Sequence, residues 1–367
     1  MTAGKGGMLE DPSTPGGSAV MSGTGGASMD AGQGMPLPSG PGGKSAMPAG
    51  GGSSAGGNGP AGGGSVGGAS SVNTPTSAWL AYDGQNAGEK RGIYLVYVPD
   101  GGHCQERVTA LEISAKQPAF SNDGKLLAYV SDVTGTPQIY TLDLSAGTTR
   151  QLTQLEGGAS YPAFSPGSGA VVFVSGDPEA YRDGIAPFSP LLGEVMLLDM
   201  KTLATETLLT RDPVLGPWSA PVFAGADRIL VANGHQLEAV YLADDAYDDH
   251  VTVSNRGLSP QDPTPTPDGE RVTFIDQCGG VNNLYTMRLD GSQDHSCDSL
   301  PLVTTEVGYR SPDWGSYGYI ASEFDRPEHG LYIVDPVYRA TQPGIDRVPQ
   351  GRNPAWAPMG FARACVE

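Results

Sequence analysis

The chain has 367 residues, and its 40 Asp and Glu side chains outnumber its 21 Lys and Arg side chains, giving a formal net charge of −19. A surface this acidic repels nucleic acid and anionic lipid head groups, so we expect no nucleic-acid partner. No apolar run approaches the roughly 20 residues that a membrane helix requires, so the sequence predicts no transmembrane segment.

Residues 1–76 differ in composition from the rest of the chain. They contain 24 of the 54 Gly residues, with Ser, Ala, Pro and Met and almost no large apolar side chains. Such a segment buries too little apolar surface to offset the entropy lost on ordering. The sequence therefore predicts a disordered low-complexity tail over residues 1–76 and a folded domain over residues 77–367.

The folded domain begins with strand-like apolar runs at 79–84 and 93–98, and a fuller unit follows at 117–153. In that unit an Asn-Asp-Gly turn at 122–124 precedes the apolar run 126–130, and residues 139–144 alternate as a half-buried strand does. Short runs at 118–121 and 149–153 complete four antiparallel strands. Gly and Pro occur too often in this unit for a helical stripe.

Copies of this unit recur along the chain, and each copy is marked by a Pro that is followed two residues later by an aromatic side chain. The members are Pro118/Phe120, Pro162/Phe164, Pro221/Phe223, Pro312/Trp314 and Pro354/Trp356, with Pro263 followed instead by Pro265. Six third strands accompany them, from GIYLVYV at 92–98 to GLYIVDP at 330–336. Each repeat contains four strands, and most repeats begin about 40–50 residues after the previous one. This pattern predicts an all-β fold, a six-bladed β-propeller of four-stranded antiparallel blades. Seven blades remain the alternative.

Residues 117–176 resemble the TolB-type propeller repeat. The segments that carry the resemblance are PAFSNDGKLLAYVSD, QIYTLDLSAGTTRQLT and YPAFSPGSGAVVFVS. The resemblance implies a TolB-like propeller, a fold that also occurs in non-catalytic parts of peptidases and in lyases that act on pectin fragments with a His-bound metal.

Both ends of the domain compete for one strand position. WLAYDG at 79–84 reads as the second strand of the blade that contains residues 93–98, and FARACV at 361–366 reads as the same strand. Either the C-terminal part supplies the inner strand of this blade with its tail alongside, or a seventh, incomplete blade exists. Closure by both termini removes the last exposed sheet edge.

The four cysteines fall into two pairs. Aligning FIDQC with FARAC places Cys365 in the position of Cys278, and aligning the segments before Cys104 and Cys297 makes those two equivalent. This favours two disulfides, Cys278–Cys297 and Cys104–Cys365, the second of which joins the two termini. The alternatives are four free thiols or a Cys/His metal site through His103 and His295.

Disulfides indicate an oxidising compartment, although no signal peptide is visible in this chain. A Gly/Ser-rich tail before an exported propeller resembles a bacterial lipoprotein whose leader and lipidated Cys lie upstream of the given start. We therefore expect a periplasmic, outer-membrane or cell-surface location and a monomer.

Candidate binding residues lie at the mouth of the predicted ring. The segments that enter the inner strands carry Tyr161, Trp218, Tyr309, Arg310 and Arg352, and the long insertion at 175–194 carries a second set. That set is Tyr181, Arg182, Asp183 and Phe188. Aromatic and Arg side chains anchor protein interfaces, so these residues are candidates for contact with a protein or peptide. Alternatively, they plug the channel and cover a neighbouring blade.

No catalytic residues or cofactor are predicted, because the five His residues are scattered and no nucleophile motif accompanies them. The leading interpretation is a non-catalytic binding module, exported and envelope-associated, that presents one propeller face to a protein or peptide. The alternative is a carbohydrate-active enzyme, a lyase with a metal ion in the central channel.

Overall fold

The structure is a computed structural model, and it describes most of the chain from residue 78 onward. The described residues are 78–100, 103–176, 193–210, 218–233, 235–242, 250–252, 260–278, 281–290, 301–302, 309–316, 318, 320–324, 330–335, 340–345 and 351–365.

The described residues form 23 β-strands and one short 3-10 helix, Val98–Asp100. In the first three blades the strands in chain order are β1 Trp79–Gly84, β2 Gly92–Tyr97, β3 Gln105–Arg107, β4 Ala115–Phe120, β5 Leu126–Ser131, β6 Gln138–Asp143, β7 Thr149–Gln151, β8 Ala159–Phe164, β9 Ala170–Ser175, β10 Val195–Asp199 and β11 Thr205–Leu209. The remaining strands are β12 Ser219–Phe223, β13 Arg228–Ala232, β14 Leu237–Tyr241, β15 His250–Thr252, β16 Gln261–Pro265, β17 Arg271–Cys278, β18 Val281–Arg288, β19 Tyr309–Trp314, β20 Ile320–Phe324, β21 Leu331–Asp335, β22 Ala340–Ile345 and β23 Arg352–Trp356.

The strands pair antiparallel in six sheets within the described part of the chain. Five sheets have four strands, and the sheet β16-β17-β18 has three. The innermost strands contact one another in the order β4, β8, β12, β16, β19 and β23, and β23 contacts β4. The inner strands therefore form a closed ring, and the predicted all-β propeller of four-stranded antiparallel blades is confirmed. We number the blades from the sheet that contains β1.

The first blade is closed by the two ends of the described chain. Strand β23 pairs with β1, with Leu80 opposite Trp356 and Ala81 opposite Ala355. The C-terminal part therefore supplies the inner strand, as one of the two sequence-based interpretations proposed. The equivalence of FARAC with the strand FIDQC is wrong, because β1 already holds the second position and residues 361–365 form no strand.

Apolar side chains between neighbouring blades form the core. Tyr82, Tyr129, Phe173 and Phe274 occupy the same register position in the second strands of four blades, and all are fully buried. Tyr82 stacks on Tyr94 of the next strand, with ring centroids 5.4 Å apart. Each such aromatic side chain buries about 150–250 Å². Both faces of a blade are packed, which explains why the second strands read as continuous apolar runs rather than as alternating ones.

A covalent bond and packed side chains reinforce the seam of the first blade. Cys104, directly before β3, forms a disulfide with Cys365, with a Cα–Cα distance of 5.5 Å and a sequence separation of 261. This predicted disulfide is confirmed. The guanidinium of Arg363 donates to both carboxylate oxygens of Glu106 at 2.7 and 2.9 Å. Phe361 packs edge-on against Phe120 of the second blade, with ring centroids 5.3 Å apart.

The second predicted disulfide stays a prediction. Cys278 ends β17, but Cys297 lies outside the described residues.

Among the helices of the described part of the chain, none is long and apolar enough to span a membrane.

Candidate binding site at the channel mouth

Each inner strand contains one residue in a left-handed backbone conformation, directly before a proline. The φ angles of these residues lie between 46° and 55°. The six residues are Gln117, Tyr161, Ala220, Asp262, Ser311 and Asn353. A non-glycine residue in this region costs roughly 1–2 kcal/mol, so six copies in one ring point to a structural demand shared by all the blades.

That demand is a β-bulge in each inner strand. In the second blade Lys116 pairs with Val130 and Ala119 pairs with Ala128, so that two residues, Gln117 and Pro118, stand opposite one. Register breaks occur at the equivalent place in the other blades. Proline suits a bulge because it has no N–H to donate to the ladder. The bulge also leaves the N–H of the residue before the proline available for a contact with the neighbouring blade.

Side chains at these positions link the blades into a hydrogen-bonded belt around the channel. The Gln117 Oε1 atom accepts from the Tyr161 N–H at 2.9 Å, and an Asp262 carboxylate oxygen accepts from the Ser311 N–H at 3.1 Å. The Ser311 hydroxyl donates to Asn353 Oδ1 at 3.0 Å. The belt therefore crosses the boundaries between the fifth and sixth, sixth and first, and second and third blades.

Asp83, at the end of β1, completes the belt between the first and second blades. Its Oδ1 atom accepts from the Gln117 N–H at 3.0 Å and from Asn353 Nδ2 at 2.8 Å. Its Oδ2 atom accepts from Arg91 Nη1 at 2.5 Å. The side chain is fully buried, and a buried carboxylate requires such compensation by a cation and hydrogen bonds. Asp83 is thus the central acceptor of the mouth.

The belt crosses four of the six blade boundaries and borders a central cavity of about 290 Å³. Its wall is formed by the six bulged dipeptides and the residues that follow them, including Phe120, Trp314 and Trp356. Gln117 is 4% exposed, and its Nε2 atom has no hydrogen-bond partner among the described residues. Because a buried unpaired amide costs about 1–3 kcal/mol, this donor on the cavity wall is suited to a ligand that supplies an oxygen acceptor.

Asp313 introduces a carboxylate into the cavity wall, where Ala119, Ala163 and Ala355 stand in three other blades. Its Oδ2 atom accepts from the Trp356 N–H at 2.7 Å and so links the sixth blade to the first. Burial raises the pKa of the Asp313 carboxyl to about 7, and the Trp356 hydrogen bond acts against that rise.

Replacing Asp313 with Asn is expected to raise the free energy of unfolding at pH about 8 and to leave it nearly unchanged at pH about 4. Because the pKa is raised in the fold, the stabilising contribution of the protonated carboxyl is complete below pH about 4 and is lost as the pH rises through about 7. One pKa unit corresponds to about 1.4 kcal/mol and the pKa rises from 3.8 to about 7, so we expect a difference of about 4 kcal/mol at pH about 8 in urea unfolding.

Asp143→Asn is the control for this pH dependence, because its sign is opposite. The Asp143 carboxylate lies on an exposed turn and accepts from the Ser145 and Ala146 N–H groups, which lowers its pKa. Its contribution is therefore present at neutral pH and is lost as the pH falls. Parallel pH profiles for the wild type and Asp313→Asn would contradict the assignment to Asp313.

Several sequence-predicted binding residues lie in the inner strands rather than in the segments that enter them. Tyr161 is the bulged residue of β8 and lines the cavity. Arg310 is exposed in β19, directly before the bulged Ser311. Arg352, in β23, lies 3.5 Å from a carboxylate oxygen of Glu323. Of these three residues, Tyr161 lines the cavity, while Arg310 and Arg352 directly precede the lining residues Ser311 and Asn353. Their placement in loops is wrong, and their role in binding stays a prediction.

The other predicted binding residues are placed differently. Trp218 is buried, and its Nε1–H donates to the Thr210 carbonyl oxygen at 3.0 Å, which makes it part of the wall between blades. Tyr309 begins β19. The remaining four lie outside the described residues and stay predictions, namely Tyr181, Arg182, Asp183 and Phe188.

Sequence reasoning missed the acidic residues of the mouth, Asp83, Asp262 and Asp313. For Asp262 the available signal was its position before a repeated proline, because proline restricts the backbone of its predecessor. Asp83 and Asp313 do not precede a proline, and no such signal marked them. The side chains of His250, His295 and His329 lie outside the described part, so the lyase interpretation stays a prediction. Among the side chains that are described, no three His, Cys, Asp or Glu residues group as a metal site would require.

Comparison of the sequence with known protein families shows which family has this fold. A family model described as the TolB beta propeller domain matches residues 70–318. The chain belongs to the TolB β-propeller family. Among its relatives, the Tol-Pal system protein TolB of Francisella tularensis subsp. mediasiatica (strain FSC147) is 23% identical over 252 residues, 66% of this chain and 54% of that protein. The chain thus spans about half the length of the curated TolB relatives it matches.

Solved structures show the same fold at low sequence identity. TolB from Acinetobacter baumannii matches with a TM-score of 0.59 at 16% identity, over 77% of this chain and 67% of that chain. A chain of the nidogen/laminin complex matches with a TM-score of 0.58 at 9% identity, over 76% of this chain and 98% of that chain. At such identities the likeness to these structures shows the fold alone.

Proposed function

We propose that this TolB-family propeller is a non-catalytic module that binds a protein or peptide at the mouth of its channel. The observation that carries the proposal is the buried Gln117 amide, whose Nε2 donor on the cavity wall lacks a partner among the described residues. A peptide backbone offers carbonyl acceptors of the kind that this donor requires. The cavity is too small for a folded domain, so an extended segment of the partner would occupy it.

The rigidity of the mouth supports the same proposal. The belt holds the bulged residues of most blades, so the mouth is organised before a partner arrives. Preorganised sites lose less conformational entropy on binding. Tyr161 lines the cavity, and the exposed Arg310 directly precedes the lining residue Ser311; both are of the types that dominate interfaces.

We further propose that the module works in the cell envelope, in the periplasm or at the cell surface. The disulfide Cys104–Cys365 supports this location, because such bonds persist in oxidising compartments. The relatives named Tol-Pal system protein TolB support an envelope role as well. A protein partner within such a system is part of the proposal, as are the possible upstream lipid anchor and a monomeric state.

The variant Gln117→Glu tests the binding site. It keeps the size of the side chain and the Oε1 acceptor for the Tyr161 N–H, but it replaces the unpaired donor with an acceptor. The test is a pull-down from envelope extract, quantified by mass spectrometry. We expect the variant to recover about tenfold less of the partner than the wild type, or still less, because an acceptor now faces the acceptor of the partner and one hydrogen bond is lost.

The matched control is Gln151→Glu, the same change in the outer strand β7. It is expected to recover the partner as the wild type does. Thermal unfolding of all three proteins separates lost binding from lost folding. Equal recovery by the folded Gln117→Glu protein would overturn the placement of the site, and recovery of no specific protein by the wild type would overturn the proposed function.

A further inference from the structure

The wall of the central cavity carries a carboxylate at a level where the other blades have neutral side chains. This level is formed by the third residue of each bulged segment, two residues further along the inner strand than the bulge. From the first blade to the sixth, these residues are Ala355, Ala119, Ala163, Val222, Thr264 and Asp313. Asp313 is therefore the one charged member of this level.

The link that Asp313 makes between blades does not require a charge. Its Oδ2 atom accepts from the Trp356 N–H at 2.7 Å. At the preceding blade boundary, the neutral hydroxyl of Thr264 makes the equivalent link and accepts from the Trp314 N–H at 3.2 Å. A carboxylate in a cavity wall is costly unless a cation compensates it, so packing of the ring alone does not explain Asp313.

No cation compensates Asp313 within the described part of the chain. The only hydrogen bond that its side chain makes there is the one from Trp356, and burial raises the pKa of its carboxyl to about 7. The buried carboxylate of Asp83, by contrast, is held by the Arg91 guanidinium. The Oδ1 atom of Asp313 is thus available to a cation that enters the cavity.

The rest of the cavity lining also favours a cation. Among the described residues that line it, the charged side chains are Asp262 and Asp313, and none is Lys, Arg or His. Phe120, Phe164 and Trp314 are also part of the lining. Aromatic rings attract cations through the partial negative charge of their faces, by about 0.5–2 kcal/mol. The net charge of −19 draws basic molecules towards the protein as a whole.

The unpaired Gln117 amide is an independent indication of a ligand in the same cavity. Its Nε2 donor is buried and requires an oxygen acceptor, whereas Asp313 requires a cation. One peptide residue with a basic side chain offers both, because its carbonyl oxygen accepts and its side chain donates. The two levels differ in depth by two strand residues, about 6–7 Å, a distance that an extended Lys or Arg side chain spans.

We propose that the segment bound at the channel mouth inserts one Lys or Arg side chain into the central cavity, where the cationic head group pairs with the Asp313 carboxylate. This inference rests on the proposed function, since it names the residue type that the bound segment presents. A peptide amino terminus carries the same charge, and the test separates these two sources.

Isothermal titration of the full chain with four short peptides tests the proposal at pH about 8, where the Asp313 carboxyl is ionised. The probes are acetyl-Gly-Gly-Arg-Gly-Gly-amide, its Lys counterpart, its citrulline counterpart, and Gly-Gly-Gln-Gly-Gly-amide with a free amino terminus. Citrulline keeps the shape of arginine without its charge. We expect the Arg and Lys peptides to bind about tenfold tighter than the citrulline peptide, or tighter still, as a hydrogen bond to a charged group predicts.

Two results with the wild-type protein would overturn the proposal. One is the absence of any preference for the Arg and Lys peptides over the citrulline peptide. The other is tighter binding of the peptide with the free amino terminus than of either basic side chain.

The variant Asp313→Asn assigns the preference to Asp313. It keeps an oxygen acceptor for the Trp356 N–H but removes the charge. We expect it to bind the Arg peptide about tenfold more weakly than the wild type and to bind the Arg and citrulline peptides equally. A merely structural role would weaken both peptides alike and leave the preference intact. Since this variant is expected to be more stable than the wild type at this pH, its loss of binding would not reflect unfolding.

The matched control is Asp143→Asn, the same change on the exposed turn between β6 and β7, which should retain the preference of the wild type. Retention of the preference by Asp313→Asn, or its loss in Asp143→Asn, would overturn the assignment.

Pull-down from envelope extract separates this inference from the proposed function. We expect Asp313→Asn to recover about tenfold less of the partner than the wild type and Asp143→Asn to recover it fully. If Asp313→Asn recovers the partner unchanged while Gln117→Glu does not, the basic side chain is refuted and the proposed function stands. Recovery of no specific protein by the wild type defeats the proposed function and this inference with it.

Discussion

Replacing Asp83 with Ala is expected to lower the free energy of unfolding by about 3–5 kcal/mol, the usual cost of removing one partner of a buried ion pair. The change leaves the Arg91 guanidinium without its counter-ion and removes the acceptor of the Gln117 N–H and of the Asn353 amide. Three groups of the mouth lose their partner at once. Chemical unfolding monitored by Trp fluorescence measures the effect.

Two further variants separate the belt from general charge effects. Asp83→Asn keeps the Oδ1 acceptor but loses the ion pair with Arg91, so we expect an intermediate loss. Asp132→Ala removes an exposed carboxylate nearby and should stay within about 0.5 kcal/mol of the wild type, as surface changes do. A loss below about 1 kcal/mol for Asp83→Ala would contradict the role of Asp83 as the central acceptor.

Removing the seam disulfide is expected to cost about 5 kcal/mol in the double variant Cys104→Ser/Cys365→Ser. The bond closes a loop of 261 residues, and in the chain-entropy model this loop restricts the unfolded state by roughly that amount. The ion pair of Arg363 with Glu106 and the packing of Phe361 would still hold the C-terminal segment. The ring should therefore fold, but with lower stability.

Guanidinium unfolding of the wild type and the double variant, each with and without reductant, measures this cost. The reduced wild type should match the reduced double variant, so that the difference between the two oxidised proteins measures the seam disulfide alone. A mass map of the non-reduced protein should link the peptide of Cys104 to that of Cys365. Equal stability of the oxidised wild type and the double variant would refute the contribution of the seam.

The strands of the ring were accessible from the sequence because each repeat contains local signals. Gly-containing turns, apolar second strands such as residues 126–130 and the Pro-x-aromatic spacing all act within one blade. Closure by Cys104 and Cys365 was also predictable, although from an alignment that proved wrong. Phe361 resembles the strand residue Phe274 in its sequence neighbours, but it packs on Phe120 as part of an irregular segment.

The binding site was less accessible because its contacts join residues of different blades. Asp83 reads as a turn residue at the end of a strand, and nothing nearby in the sequence indicates that Gln117 and Asn353 bind it. The left-handed backbone of the residue before each proline depends on a bulge that pairing with the second strand creates.

Hydrogen exchange of the protein in complex with the partner that it recovers from envelope extract tests the location of the binding surface most directly. The binding site at the channel mouth predicts slower exchange at residues 83–92 and 114–119, with no change in the outer strands β7 and β11. Protection confined to the outer strands, with exchange at the mouth unchanged, would contradict this location.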